Sequence, residues 1–275
     1  MNLLLKKRRA AALFWDTGEI VKRLVIRPGA IGDFVLSLPA LECLRAEYYE
    51  IWAASRNLPL IRFAHRTRAI SSTGLDLLGI GEPRKELLAT LREFDSIISW
   101  YGSNRPEFRE LVHRLQLPFT FFDALPSSSR GVHAADFYLQ QVRTVVNCES
   151  DGIPRIPCSV ERENFAVIHP FSSSPGKNWP LEKFRMLARQ LERSMPVFWC
   201  RGCEDPPLER AVEIDDLYEL ARWLSRARLY IGNDCGITHL AAAVETPVLA
   251  LFGPTDPAVW GPRGENVRIA RWQPA

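Results

Sequence analysis

Residues 230–257 read YIGNDCGITHLAAAVETPVLALFGPTDP, and this stretch carries the clearest fold signal in the chain. An apolar run ends at Gly232, a tight turn follows, and small residues then predict a helix from Ile237 to Val244. A second apolar run, Pro247–Phe252, leads into a Gly-Pro turn. Strand, turn, helix and strand in this order are typical of a parallel α/β sheet.

Outward from this stretch, the same alternation of strands and helices begins near residue 22 and begins again near residue 165. Lys22–Arg27 is a β-branched apolar run that a Pro-Gly turn ends, and a helical pattern follows it. Residues 147–164 are polar and contain two prolines, so they are the best linker candidate. Two α/β domains would face a cleft at the carboxyl ends of their strands, where such folds bind ligands. We therefore predict two Rossmann-like domains with parallel sheets: an N-terminal domain at 21–150, a linker at 151–164 and a C-terminal domain at 165–275.

The composition is that of a globular protein. The 275 residues are 47% hydrophobic and 24% charged, which excludes a disordered chain, a collagen-like repeat and a coiled coil. Thirty-five Lys and Arg against 32 Asp and Glu give a net charge of +3, too small to favour nucleic acid as the main partner. No run of 18 apolar residues occurs, so we expect no transmembrane helix.

Residues 1–20 form a basic extension with the run Lys6–Arg9 near its centre. The apolar segment after the basic run is too short for a signal peptide. An extension without a dedicated role is the favoured interpretation, and a weak contact with an anionic membrane surface is the alternative.

The six cysteines give no clear metal or disulfide pattern. Cys200 and Cys203 have the spacing of a redox motif but follow an apolar strand without a second Cys or His pair. The other four are scattered singly and resemble small buried hydrophobic residues. We therefore predict reduced thiols, as in a cytosolic protein.

Two turns before predicted helices carry candidate chemistry. In the first, Arg27-Pro-Gly-Ala-Ile-Gly-Asp33, glycines such as Gly32 allow close backbone approach to a ligand. Asp33 is then either a helix-capping residue or a base in a cleft. In the second, Ser172, Ser173 and Lys177 lie on a loop before a helix and are suited to phosphate oxygens, although a solvated turn explains them equally well.

The third and strongest candidate is the turn quoted above. Asp234 and Gly236 lie in the turn, and His239 lies in the first turn of the next helix. The amide groups at that helix N-terminus are suited to a diphosphate. A Gly-Asn-Asp-x-Gly-x-x-His turn followed by Phe-Gly-Pro-Thr-Asp-Pro is unlikely to arise by chance.

Three stretches in this order, Val25–Pro39, His169–Pro180 and Tyr230–Pro257, resemble glycosyltransferase family 9, the lipopolysaccharide heptosyltransferases. His133–Leu139 also resembles a helix start in that family, and the likeness extends over about residues 20–262. The resemblance implies a GT-B architecture with the active site between the domains. It implies inverting transfer of a sugar, typically heptose from ADP-heptose, to a lipopolysaccharide-core acceptor. We expect a cytoplasmic protein, with a position at the cytoplasmic face of the inner membrane as the narrower alternative.

The resemblance also assigns roles to residues of this chain. Asp33 resembles the general base and Lys177 a catalytic cation. The positions that resemble donor contacts are Ser172, Ser173, Lys177, Glu204, Asp234, Cys235, Gly236 and His239. Cys235 stands where the family motif often has Thr or Ser, so a hydroxyl donor is lost there. No Asp-x-Asp sequence is present, and we expect neither a metal ion nor another cofactor.

An acceptor side is also predicted, formed by Gly32 together with Arg62 and Arg66. The two arginines lie in Leu60–Ala69, which favours a basic helix or loop, and guanidinium groups bind anionic sugars or lipids well. A solvated basic face is the favoured alternative for these arginines.

Two other functional hypotheses make different demands on the sequence. A degenerate family member would bind a nucleotide or a glycan without turnover, but the presence of both Asp33 and Lys177 argues against it. A Rossmann oxidoreductase would need a G-x-G-x-x-G turn, and Gly29-Ala-Ile-Gly32 lacks that spacing.

Overall fold

The computed structural model describes residues 20–126, 131–158 and 161–273. It contains two five-stranded sheets in which every neighbouring pair of strands is parallel. This confirms the predicted α/β class. All but the last residue of the basic extension at 1–20 lies outside the described residues. The structure therefore does not test the predicted membrane contact of that segment.

The first sheet has the strand order β3-β2-β1-β4-β5. Its strands are β1 (Lys22–Arg27), β2 (Tyr48–Ala53), β3 (Arg66–Ala69), β4 (Ser96–Ser99) and β5 (Phe119–Phe121). The helices of this half are α1 (Ile31–Cys43), α2 (Lys85–Leu91), α3 (Pro106–Arg114) and α4 (Ala134–Val142). The order reverses between β1 and β4, so the crevice of this doubly wound sheet lies beyond the end of β1.

The second sheet has the order β10-β9-β8-β6-β7. Its strands are β6 (Ala166–His169), β7 (Val197–Trp199), β8 (Leu229–Asn233), β9 (Val248–Phe252) and β10 (Val267–Arg271). Its helices are α5 (Leu181–Leu191), α6 (Leu217–Arg226), α7 (Gly236–Ala243) and α8 (Pro257–Trp260). Here the order reverses between β6 and β8, which are neighbours in the sheet although β7 separates them in sequence.

One hydrophobic cluster runs through both halves of the chain. It includes Val25 and Leu41 of the first half and Val167 and Leu240 of the second, all of them fully buried. Within it, α1 packs against both α4 and α7. Separate clusters cover the opposite face of each sheet. Burial of apolar surface therefore presses α1 against α7 and brings together the loops that precede these two helices.

Three expectations about local structure require correction or extension. The basic segment Leu60–Ala69 is neither helix nor loop throughout, because Arg66–Ala69 forms the edge strand β3 beside β2. Cys43 and Cys148 form a disulfide that links the C-terminal end of α1 to the segment after α4, whereas the sequence predicts reduced thiols. The elements α2, α8 and β10 are additional to those that the sequence predicts. All strands of the first sheet precede the predicted linker at 151–164, and all strands of the second follow it.

Candidate functional site

The end of β1 positions Asp33 in the first turn of α1. The fully buried Arg27 holds this turn, since its Nη1 donates to the Pro28 carbonyl at 3.0 Å and its Nη2 to the Asp33 carbonyl at 2.9 Å. The guanidinium of Arg27 also lies 4.5 Å from the ring centroid of Tyr138 on α4. The backbone around Asp33 is therefore fixed from two sides.

Asp33 is partly buried and lines a cavity. Burial raises its pKa, and the charge of Arg27, the backbone amide of Ala30 and the charge of Lys177 oppose that rise. A carboxylate with a raised pKa is a better proton acceptor at neutral pH than a solvated one. Ala30 is the residue that caps α1, so Asp33 occupies the third helical position rather than the cap.

Asp234 follows β8 and links two loops of the second half. Its buried Oδ2 accepts a hydrogen bond from Nζ of Lys177 at 2.8 Å and another from Oγ1 of Thr255 at 2.6 Å. Lys177 lies on the loop after β6, and Thr255 lies on the loop after β9. An ammonium group has three donors, so Lys177 keeps others for a bound anion while Asp234 holds it in place.

The fully buried Asn233 fixes the loop that carries Lys177. Its Oδ1 accepts from the backbone amide of Trp179 at 2.9 Å, and its Nδ2 donates to the carbonyl of Pro170 at 2.7 Å. One amide side chain therefore ties both ends of the loop to the end of β8. The loop is held in register with the α7 N-terminus by buried polar contacts, which are costly to break.

The N-terminal ends of α1 and α7 meet beside the cavity. A Cβ on Gly236 would lie 2.7 Å from Cβ of Ile31, and a Cβ on Gly32 would lie 3.1 Å from Cδ2 of His239. Glycine at both positions allows this close approach. Because helix N-termini carry unpaired amide groups and partial positive charge, two of them facing one cavity favour an anionic ligand.

His239 lies in the first turn of α7 and lines the same cavity. Burial lowers its pKa to about 4, so the imidazole is neutral at pH 7. Its Nδ1 is buried and has no hydrogen-bond partner among the described residues. Leaving a buried nitrogen without a hydrogen-bond partner destabilises the fold by roughly 1–3 kcal/mol.

The cavity has a volume of about 240 Å³. Ligand pockets span roughly 300–1,000 Å³, so this cavity is somewhat smaller than a typical one. A larger depression of about 610 Å³ lies beside Arg23, Arg45 and Glu47 but is more open. The smaller cavity is the better candidate because two helix N-termini and the Asp33, Lys177 and Asp234 side chains converge on it. It is lined by Ala30, Gly32, Asp33, Leu36, Ser173, Lys177, Asp234, Cys235, Gly236, His239, Thr255 and Trp260.

Four of the predicted site residues lie elsewhere. Oγ of Ser172 lies 2.8 Å from both the Ser174 carbonyl and Oδ1 of Asn178, so this hydroxyl shapes its own loop. Glu204 is exposed, with an oxygen 3.5 Å from Nη1 of Arg56. Arg62 lies 4.6 Å from the ring centroid of Tyr218 on α6, and Arg66 begins the edge strand β3.

Sequence reasoning missed three groups that shape the site. The sequence predicts Arg27 only as the end of a strand, yet its guanidinium holds the turn that carries Asp33. Thr255 belongs to the Phe-Gly-Pro-Thr-Asp-Pro stretch, whose unusual composition was the available signal. Asp205, next to Glu204, is the carboxylate that turns inward, and its Oδ2 lies 3.0 Å from Nε2 of His169.

Within the described residues, no group of three or more His, Cys, Asp or Glu side chains has an arrangement that could hold a metal ion. None of the helices in the described ranges has both the length and the apolar character needed to cross a membrane.

Comparison with known proteins gives consistent matches. The model of glycosyltransferase family 9 (heptosyltransferase) matches residues 132–274, slightly more than half of the chain. Lipopolysaccharide heptosyltransferase 3 of Escherichia coli K12 is 32% identical over 38% of this chain, and the chain spans only 36% of that relative's length. Lipopolysaccharide heptosyltransferase 2 of Salmonella typhimurium is 25% identical over 91% of this chain and 88% of its own length.

Solved structures share the fold across most of the chain. The E. coli heptosyltransferase WaaC with ADP superimposes with a TM-score of 0.67 at 18% identity, over 91% of this chain and 93% of that one. E. coli ADP-heptose LPS heptosyltransferase II gives a TM-score of 0.70 at 17% identity, over 91% and 90% of the two chains. Both are GT-B structures, and the architecture of this chain is the same.

Proposed function

The chain belongs to glycosyltransferase family 9, and from this premise we propose that it transfers heptose from ADP-heptose to a lipopolysaccharide-core acceptor. The proposed reaction inverts the anomeric configuration and uses no metal ion. Relatives named as lipopolysaccharide heptosyltransferases support the sugar and the acceptor class, and the neighbour solved with ADP supports the nucleotide.

One observation carries the proposal: three chain segments that are distant in sequence bring a base, a cation and the amide groups of a helix N-terminus to one cavity. Asp33 comes from the first turn of α1, just after β1, Lys177 from the loop after β6, and the α7 N-terminus from the turn after β8. Each loop follows a strand beside the point where the order of its sheet reverses. Open α/β sheets bind ligands at that position.

Asp33 is the proposed general base. In a single displacement, the acceptor hydroxyl oxygen bonds to the anomeric carbon while the bond from that carbon to the diphosphate oxygen breaks. Asp33 accepts the hydroxyl proton, and the bonding electrons leave with ADP. A partly buried carboxylate with a raised pKa suits this role because it accepts a proton more readily than a solvated carboxylate does.

Lys177 and the α7 N-terminus are the proposed groups that stabilise the departing diphosphate. Lys177 is held by Asp234 at 2.8 Å, so its charge is already positioned before the donor binds. His239 and Ser173 line the same cavity and complete the proposed donor contacts. Asp234 acts by positioning Lys177 and Thr255 rather than by binding phosphate, since two anions repel.

The proposal of metal-independent transfer rests on the donor set of this cavity. Lys177 and the amide groups of α7 supply the positive potential that a divalent cation would otherwise provide. The chain has no Asp-x-Asp sequence. In metal-dependent glycosyltransferases, such a sequence commonly holds the cation.

The acceptor side is proposed at Gly32 and along the arginines Arg62 and Arg66. Arg62 already contacts Tyr218 of the second half, so it lies where the two halves adjoin. A phosphorylated core sugar is an anion that guanidinium groups bind well. We also propose that the reaction takes place at the cytoplasmic face of the inner membrane.

Thermal unfolding with nucleotides tests the donor. ADP, UDP, GDP and CDP are compared, each with magnesium and with EDTA, at about 100 times the expected Kd. Binding at that ratio adds about 2.7 kcal/mol to stability and raises Tm by a few degrees. We expect a shift with ADP alone and the same shift in EDTA. A shift only with another nucleotide would contradict ADP-heptose, and a magnesium-dependent shift would contradict the metal-independent proposal.

Release of ADP from ADP-heptose in the presence of a heptose-deficient lipopolysaccharide acceptor then tests turnover. Binding of ADP without release on any such acceptor would favour a family member that binds its ligand without catalysis. No shift with any nucleotide would remove the donor assignment itself.

A further inference from the structure

A cysteine, a histidine and an aspartate form a connected group beside the proposed donor site. Sγ of Cys235 lies 3.3 Å from Nδ1 of His169, and Nε2 of the same imidazole lies 3.0 Å from Oδ2 of Asp205. Asp205 also accepts a hydrogen bond from the backbone amide of Gly202 at 2.7 Å, which fixes its orientation. The proposed transfer reaction uses none of these three side chains chemically.

The fold creates this arrangement by pairing strands that are not consecutive in the chain. His169 ends β6 and Cys235 caps α7 just after β8, and β6 and β8 are adjacent in the sheet. The loop after β7 adds Asp205 from the other side of β6. Thiol, imidazole and carboxylate in this order form the arrangement that activates nucleophilic cysteines.

The surroundings of Cys235 favour its ionised form. Burial alone would raise its pKa, but the charge of His169 and the hydrogen bond from that ring outweigh burial and lower it. The reverse interaction holds for His169, because burial would lower its pKa while Cys235 and Asp205 raise it. Position at a helix N-terminus further favours a thiolate.

Other titratable groups close to Cys235 do not compete for its proton. Burial raises the pKa of Cys200 to about 12, and burial also raises the pKa of Tyr230. Both groups are therefore neutral at pH 7. The Cys235 thiolate is compensated by His169, whose ring can hold a proton on each nitrogen and donate one to each partner.

Cys235 is also reachable from the cavity. The residue is partly exposed and lines the cavity together with Lys177 and Gly236. By contrast Cys200 is buried, and Cys203 is exposed but has no imidazole partner among the described residues. Cys235 thus combines an activating partner with access.

We propose that Cys235 is a site of oxidative modification, at which hydrogen peroxide converts the thiolate to a sulfenic acid. The sulfur attacks one peroxide oxygen and the O–O bond breaks. Sulfur is oxidised, peroxide is reduced, and the leaving hydroxide takes the proton of His169 to become water. Asp205 keeps the imidazole oriented throughout this step.

Modification at this position also blocks binding of the diphosphate at the donor site. This consequence rests on the proposed function. The added oxygen lies beside Lys177 and the α7 N-terminus, where the diphosphate is proposed to bind. Oxidised protein should therefore lose ADP binding, and reduction by dithiothreitol should restore it. The oxidation itself is measured independently of any nucleotide.

The test measures the reactivity of individual cysteines by peptide mass spectrometry. The native chain is treated with iodoacetamide at pH 6.0, and in parallel with hydrogen peroxide and dimedone, which traps sulfenic acids. Cys158 is the internal comparison because it is also partly exposed, while burial raises its pKa. A lower pKa increases the fraction of thiolate but makes each thiolate a weaker nucleophile. With both effects counted, we expect Cys235 to react at least about fivefold faster than Cys158.

Two variants assign the reactivity to the triad. His169→Gln should slow the labelling of Cys235 about fivefold or more, whereas His113→Gln, an exposed histidine on α3, should leave it unchanged. If His169→Gln does not fold, Asp205→Asn serves instead, since its amide oxygen can still accept from Gly202. Equal labelling of Cys235 and Cys158 in the native chain overturns the proposal. So does labelling of Cys235 that stays at the native rate in His169→Gln, or in Asp205→Asn where that variant takes its place.

ADP titration before and after peroxide separates this proposal from the donor assignment. Trapped Cys235 with no ADP binding in either state would leave the modification site standing and remove the proposed donor. ADP binding that survives full oxidation of Cys235 would refute the closure of the site.

Discussion

Gly32 and Gly236 touch, so that a Cβ on Gly32 would lie 3.5 Å from Cα of Gly236 and a Cβ on Gly236 would lie 3.1 Å from the backbone nitrogen of Gly32. The two residues lie in the first turns of α1 and α7, the helices through which the two halves of the chain pack. Their contact sets the distance between the proposed base, on α1, and the proposed diphosphate site, on α7.

Gly236→Ala should force these helices apart. The new Cβ would lie 2.7 Å from Cβ of Ile31, and neither neighbour can move without shifting its backbone. We expect destabilisation of about 1–3 kcal/mol, typical of overpacking, together with weakened ADP binding. Thermal unfolding and an ADP titration measure both. Gly81→Ala is the matched control, since a Cβ there meets no described atom within 4 Å. An unchanged Tm for Gly236→Ala would contradict the packing argument.

Asp33→Asn should abolish most turnover while leaving donor binding nearly intact. Asparagine preserves the size of the side chain but cannot accept the acceptor proton. Loss of a general base costs at least about 100-fold in kcat. Steady-state ADP release and ADP affinity are measured on the same preparation. Asp76→Asn, at an exposed position of the same half, should behave as wild type. Wild-type kcat in Asp33→Asn would leave Asp33 with a structural role alone.

The same variant should not lose thermal stability at neutral pH. Burial raises the folded-state pKa of Asp33, so its stabilising contribution exists below the unfolded-state pKa and is lost as pH rises through the folded-state value. At pH 7 the ionised, partly buried carboxylate lowers the free energy of unfolding, and asparagine removes this destabilising charge. We expect the Tm of Asp33→Asn at pH 7 to equal or exceed that of wild type, and the difference to shrink as pH falls. A Tm several degrees lower at pH 7 would show that the charge stabilises the fold.

Lys177→Ala should weaken ADP binding by about 1–3 kcal/mol, the value of a hydrogen bond to a charged group. The variant also removes the cation that faces the buried Asp234 carboxylate, so a lower Tm is expected as well. Isothermal titration with ADP measures the affinity. Lys183→Ala, an exposed lysine on α5 whose ammonium lies 6.0 Å from the Trp179 ring, controls for general charge loss. Equal ADP affinity in the two variants would exclude Lys177 from the donor site.

Local sequence signals succeeded where one segment contains all the information. The Pro-Gly and Asn-Asp-Cys-Gly turns predict strand, turn and helix because glycine and helix-starting residues act on their own neighbours. Asp33, Ser173, Lys177, Asp234 and His239 are therefore found from the sequence and do line one cavity. Their functional roles stay predictions until the variants are measured.

Local signals failed at the edges of the sheets. β3 has the sequence Arg-Thr-Arg-Ala, which is polar because the strand pairs on one side alone with β2 and its side chains stay partly in solvent. β10 has arginines at two of five positions for the same reason. Such strands form because a neighbour offers unpaired backbone groups, and the hydrophobic pattern does not record that neighbour.

The sequence by itself determined the α/β class, the turns at the ends of β1 and β8, and most of the charged groups at the cavity, since these depend on residues a few positions apart. Only the tertiary structure decided which of them meet. Strand order places β6 beside β8, so His169 reaches Cys235 and Lys177 reaches Asp234. Packing of α1 on α7 adds Asp33, and the Cys43–Cys148 bridge joins residues separated by 105 positions. These contacts follow from burial of apolar surface over the whole chain, which no short window of sequence contains.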